Sequence, residues 1–242
     1  MTLNVEFQKV VNLVKTYLKN DKELRIWGAA GFVLVLGGGS YYGYQWLVNR
    51  WSQKAQIAFS ESYDAYNQAI AAQFGDSVKP EALKELWEQA EMDFKYASEH
   101  NKYVSFVSFF KAFRAQTLVH QGKREEALKT LREALEKMGS KNPYYGLYQI
   151  GFAFLLLEGS QENIEEGLKQ LNQVASQDKN TFQDMALYYL GLYYSVSGET
   201  QKAVDYWKKI QASTNVLYSK KAESPWVELA KVKLIELGQE KE

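Results

Sequence analysis

The chain has 242 residues, balanced at 29 basic and 29 acidic side chains, and contains no cysteine. Balanced charge without a basic stripe excludes the electrostatic footprint of a nucleic-acid binder. The lack of cysteine excludes disulfides, thiol nucleophiles and cysteine metal sites, and is compatible with a reducing or an oxidising compartment.

Only three prolines occur, Pro80, Pro143 and Pro225. A proline inside a helix removes a donor and clashes with the preceding turn, so long helices separated at these three positions are expected. The fold class expected is all-α.

Residues 1–24 form a basic arm. Leu3, Phe7, Val10, Val14 and Leu18 recur at helical spacing, which suits either an amphipathic helix on a membrane face or a frayed tail.

Residues 25–50 read as a transmembrane signal-anchor helix. Between Arg25 and Arg50 no charged residue occurs. At about 1.5 Å per residue the stretch covers roughly 36 Å, enough for a hydrocarbon core of about 30 Å. Trp27 stands near one end, and Tyr41, Tyr42, Tyr44, Trp46 and Trp51 crowd the other, where a headgroup boundary favours amphipathic rings. Lys9, Lys15, Lys19, Lys22 and Arg25 precede the span, whereas Arg50 and Lys54 follow it. The arm is therefore expected on the cytoplasmic side and the large domain across the membrane. A cleaved signal is the alternative, since Gly37, Gly38, Gly39 and Ser40 offer small residues after an apolar core. Gly39 and Gly43 form a small-xxx-small pair that suits close helix approach and a homodimer; glycines merely tolerated in a membrane helix explain the same pair.

Residues 51–242 read as a helical repeat domain. AFSESYDAYNQAI and EALKELWEQAEMDFKYASEH form a degenerate first pair. Gly122, Gly159 and Gly198 then mark turns, each between two apolar-periodic runs. Ala127, Gly167 and Ala203 are followed four positions later by Leu131, Leu171 and Trp207, and the small residues lie 40 and 36 positions apart. A period near 34 with short insertions is the signature of stacked helix-turn-helix repeats. The third unit matches best, with Leu187, Leu190, Gly191, Tyr194, Ala203 and Trp207 at the tetratricopeptide offsets. Gly191 and Ala203 are small where paired helices would cross closely. The second unit aligns on Gly151 or on Phe152. SPWVELAKVKLIELG closes the chain as a capping helix, with Ser224 as its N-cap before Pro225.

No catalytic constellation, cofactor motif or metal spacing stands out. His100 and His120 are the only histidines, and GGGS lacks the Gly-Lys-Ser/Thr of a phosphate loop. Catalysis is not expected, and no cofactor is expected.

Aromatic density remains to be explained: seventeen tyrosines, twelve phenylalanines and six tryptophans. FVSFFKAF, PYYGLYQIGFAF and ALYYLGLYY fall on leading helices, which line the concave face of a solenoid. Packing between repeats accounts for most of these rings. With Gly191 at the close crossing, Met185, Tyr188 and Leu192 face the groove; the same register in the first unit gives Phe109, Ala112 and Gln116. Such a groove suits extended apolar polypeptide.

The stretch YLKNDKELRIWGAAGFVLVLGGGSYYGYQWLVNRWSQKAQIAFSESYDAYNQAI resembles the start of the ancillary SecYEG translocon subunit family, often called YfgM-like. The shared order is a basic arm, one signal-anchor helix with an aromatic-rich exit, and an alanine- and tyrosine-bearing helix that opens a tetratricopeptide domain. The chain departs from that family in its triple glycine and its tyrosine-rich leading helices. The resemblance implies a bacterial inner-membrane protein with its repeat domain in the periplasm. Its implied partners are the SecYEG translocon and a membrane-anchored periplasmic chaperone, in service of newly exported chains. A scaffold of another envelope complex, in cell division or outer-membrane assembly, is the competing expectation.

Overall fold

The computed structural model describes residues 22–75, 78–101, 104–177, 180–212 and 224–239, with side chains from residue 40 onward except at position 104. Among the described residues the fold is entirely helical. The helices are α1 (Lys22–Gln73), α2 (Pro80–His100), α3 (Val104–His120), α4 (Arg124–Met138) and α5 (Tyr145–Leu157), followed by α6 (Gln161–Ala175), α7 (Gln183–Val196), α8 (Thr200–Ala212) and α9 (Pro225–Glu236). The chain divides into two compact units, residues 1–54 and 55–242.

Helix α1 does not stop where the expected span ends. It continues to Gln73, because no proline or glycine interrupts the sequence between Gly43 and Gly75. Among the described residues no helix is long and apolar enough to cross a membrane. The expected span falls largely on residues whose side chains lie outside the described set, as Gly39 does, and the amphipathic positions of the arm, Leu3 to Leu18, lie outside the described residues. Gly43 is described, and a Cβ built there would meet nothing within 4 Å.

In the second unit each helix from α2 to α9 packs on its neighbours in sequence, and α9 also packs on α7. The proline positions are as expected: Pro80 and Pro225 occupy the first turns of α2 and α9, and Pro143 lies in the turn before α5. Gly122 and Gly198 close α3 and α7 in the left-handed region, at φ 72° and 79°. There the amides of Lys123 and Glu199 reach back to the carbonyls of Leu118 and Tyr194 at 2.9 and 2.8 Å. Only glycine adopts this backbone without a Cβ penalty, and the return bonds satisfy carbonyls that the helix end would orphan. Gly159 works differently. Its φ is not left-handed, and the Arg124 guanidinium and the Asn163 amide crowd it closely.

Ser224 stands at the N-cap of α9, but its side chain makes no capping bond and its hydroxyl is buried without a partner among the described residues. Proline at N1 already removes one orphan donor there, which lessens the need for a cap.

Three apolar clusters run along the stack. Phe94, Ala97 and Phe110 meet Phe59, Tyr66, Phe106 and Phe113 in the first. Ala112, Ala115, Leu128 and Leu131 form part of the second, with Phe152 and Leu156 from the next pair. The third gathers Leu171, Leu187, Leu190, Ala203, Trp207 and Leu234. Burying a large apolar side chain contributes about 1.5–3 kcal/mol, so these clusters hold the stack together.

The small residues that mark the repeat spacing are all buried: Ala127, Gly167 and Ala203. In the second pair the close approach is made by Gly167, whose Cβ position lies 3.0 Å from the Ala153 carbonyl and 3.1 Å from the Leu156 Cβ. Gly151 faces open space. Polar contacts reinforce the first hairpins. Arg114 on α3 binds Glu91 of α2 at 2.5 Å and Glu126 of α4 at 2.8 Å. Lys111 of α3 pairs with Glu133 of α4.

Candidate functional site

The residues expected to line a groove fall into two groups. On α7, Tyr188 is only 8% exposed and belongs to the third cluster, with Met185 and Leu192 half-buried against it. The reason is α9: Trp226 lies 5.5 Å from the Tyr188 ring, and the capping helix occupies this face. On α3, Ala112 is fully buried between the first two hairpins. A fully covered methyl contributes packing rather than contact with a partner.

Phe109 and Gln116, by contrast, lie on a half-exposed aromatic face shared by α1, α3 and the start of α5. Phe109 meets Tyr144 and Tyr148 edge to face, at 5.9 and 6.0 Å between centroids. Gln116 accepts a hydrogen bond from the Tyr66 hydroxyl at 3.1 Å. Tyr63 and Tyr66 stack along α1, and both meet Phe113 edge to face at 5.5 and 5.6 Å. The helical spacing of Phe59, Tyr63 and Tyr66 puts these rings on one side of α1, as period 3.6 requires.

The electrostatics of this face are those of a neutral donor surface. Burial, and then the neighbouring Tyr63, pushes the Tyr66 phenol above its ordinary range. Burial, with Tyr144 and Tyr66 adding to it, pushes Tyr148 up to about 12. Both phenols therefore stay protonated at physiological pH and can donate hydrogen bonds. The Tyr148 hydroxyl has no hydrogen-bond partner among the described residues. Gln116 spends its carbonyl oxygen on Tyr66. Its amide N–H groups donate to nothing described. The face thus combines ring surfaces with spare donors.

Tyr63, Tyr66, Tyr144 and Tyr148 were not singled out by sequence. Their signal was present in SYDAYNQ and PYYGLYQ, but only the pairing of α1 with α3, and of α3 with α5, reveals which rings converge.

The second histidine is placed by a different contact. The His120 imidazole lies flat on the Trp87 indole, with centroids 3.9 Å apart and planes 4° from parallel. Burial lowers its pKa below the ordinary imidazole value. Its neutral form is thus favoured in the folded state. The stability this lends is present above about pH 6.5 and is lost as pH falls through the lowered folded value. An NMR titration is expected to show His120 titrating below the ordinary range, and Trp87→Ala is expected to bring it back up. An unchanged His120 titration in that variant would show that the indole does not govern it.

Among the described residues no group of three His, Asp or Glu side chains gathers to hold a metal ion. No protein-family model, no curated protein and no solved structure matches the chain.

Proposed function

We propose that the protein is a membrane-anchored, tetratricopeptide-like adaptor that holds exported polypeptide beside the SecYEG translocon and a periplasmic chaperone, without catalysing a reaction. The observation that carries this reading is the aromatic face around Phe109, Tyr66, Gln116, Tyr144 and Tyr148. Extended polypeptide presents apolar side chains and unpaired main-chain carbonyls. Ring faces pack against the former, and phenol O–H and amide N–H groups donate to the latter without demanding a particular sequence. Stacked helical hairpins are the usual platform for such surfaces.

The anchor rests on separate support. No charged residue occurs between Arg25 and Arg50, and the helix runs unbroken through that interval. Tyr41, Tyr42, Tyr44 and Trp46 are each at least 60% exposed. So many bare rings on one stretch suit a headgroup layer, where their polar edges stay wet and their bodies leave water. In this reading the arm is cytoplasmic and the repeat domain periplasmic, in the bacterial inner membrane.

The test is photocrosslinking in living cells from position 42 and from position 144, whose ring is 52% exposed, followed by mass spectrometry of the adducts. Translocon subunits at 42 and varied exported chains at 144 are expected. A single constant envelope partner at 144, with no translocon at 42, would replace this reading with a scaffold of another envelope complex. Phe109→Ala and Tyr148→Ala are each expected to weaken capture of an unfolded model client by on the order of tenfold, as loss of a central aromatic anchor does. Capture at wild-type levels by both variants would remove the face from the mechanism.

A further inference from the structure

The aromatic face between α1, α3 and α5 has a hydrogen-bonding character set by which polar atoms are left open on it. Gln116 spends its one carbonyl oxygen on the Tyr66 hydroxyl at 3.1 Å, and the same bond uses the Tyr66 proton. Two donor groups remain, the Tyr148 hydroxyl and the Gln116 amide N–H groups, without a partner among the described residues. Neither is sealed. The buried side-chain nitrogens and oxygens that lack a partner among the described residues lie elsewhere, on Gln121, Arg124, Gln149 and Ser224. The acceptors these side chains still offer are phenol oxygens, poorer acceptors than a carbonyl because the ring withdraws their lone pair. The face thus gives hydrogen bonds more readily than it takes them.

Its rings stand in perpendicular pairs. Phe113 meets Tyr63 at 85° and Tyr66 at 86°. Phe109 meets Tyr144 at 77° and Tyr148 at 72°. Edge-to-face pairs set a ring face beside a ring edge, which gives a flat apolar group a floor and a wall. Phe109, Phe113 and Gln116 follow one another at four and three positions on α3, so they share one side of that helix. Seven helical positions rise about 10 Å. Three residues of polyproline II, one turn at about 3.1 Å each, cover the same length.

Ordinary extended polypeptide brings an N–H with every carbonyl, and on a surface of donors those N–H groups find little to bind. Proline brings a carbonyl and no N–H, and its fixed φ pre-orders the chain, which lowers the cost of ordering on binding. Aromatic-lined grooves recognise such segments in general. We propose that the face around Phe109, Gln116 and Tyr148 selects proline-rich stretches in polyproline II conformation. Prolyl rings pack in the ring-lined notches, and Tyr148 O–H and Gln116 N–H donate to the prolyl carbonyls. This selection rests on the same face being the client surface and names the class of segment that it takes. It reads the backbone more than the side chains, so clients of unrelated sequence share it.

The test is fluorescence anisotropy with the full chain in detergent and two labelled hexapeptides, one alternating proline with alanine and one alternating valine with alanine. Valine keeps apolar bulk and an extended preference but restores the N–H. The proline peptide is expected to bind about tenfold more tightly. Tyr148→Phe keeps the ring and removes only the hydroxyl, and is expected to weaken that binding about fivefold, the worth of one neutral hydrogen bond. Phe109→Ala is expected to weaken both peptides. Equal affinity for the two, both weakened by Phe109→Ala, would overturn the proline preference and leave the client surface standing. Proline-peptide binding that neither Tyr148→Phe nor Phe109→Ala changes would overturn the site. Binding of neither peptide would overturn the preference as well, and capture of the unfolded client, measured separately, would then decide the client surface.

Discussion

Trp207→Ala is expected to cost about 4 kcal/mol of stability, the middle of the range for removing a fully buried large aromatic. Trp207 is 1% exposed and sits in the third cluster, where α7, α8 and α9 share their apolar surfaces. Its Nε1 donates to the Tyr188 carbonyl at 3.3 Å, so the ring is fixed at its polar end as well as by packing. Alanine would leave a cavity beside Gly191, which has no side chain to collapse into it. The loss would also spread. Helix α9 packs on both α7 and α8, and in a stack held by neighbour contacts a weakened pair releases what is docked on it. Urea denaturation of the full chain, followed by far-ultraviolet circular dichroism, should show the midpoint falling sharply. A loss below about 1 kcal/mol would mean the hairpin is held elsewhere.

The sequence carried much of this arrangement, and for identifiable reasons. Gly122 and Gly198 were readable as turns because a left-handed helix end favours glycine wherever it occurs. Ala127, Gly167 and Ala203 were readable as repeat positions because a four-residue offset to Leu131, Leu171 and Trp207 places small and large residues on one helix face. Pro80, Pro143 and Pro225 marked breaks by simple exclusion from helix interiors.

What escaped depends on contacts between segments far apart in sequence. Tyr188 occupies a position that would face a groove, yet Trp226, 38 positions later, takes its outer side. Periodicity assigns a residue to a helix face but does not say whether another element covers that face. Ala112 is buried for a related reason. Its face of α3 is covered by Leu128 and Leu131 of α4 and by Phe152 of α5, which lies 40 positions away. The choice between Gly151 and Phe152 was also beyond the sequence, since the second pair makes its close crossing through Gly167 against Ala153 and Leu156.

Gly191→Ala is expected to destabilise by about 2 kcal/mol, although alanine is the better helix former by up to about 1 kcal/mol. A Cβ at Gly191 would lie 2.6 Å from Cε2 and 2.7 Å from Cδ1 of Trp207. The indole is rigid, buried and hydrogen-bonded, so it cannot swing aside as the end of a flexible side chain would. Backbone must move, and the α7–α8 crossing opens. Two comparisons make the cause identifiable. Gly151→Ala, whose Cβ meets nothing within 4 Å, should instead stabilise by about 0.5–1 kcal/mol, because only the helix propensity changes. Combining Gly191→Ala with Trp207→Ala should cost less than the sum of the two, since the new methyl then enters the cavity that the indole vacates. If the double variant is as unstable as that sum, the two residues are not in conflict, and the glycine at this crossing is there for a reason other than the ring beside it.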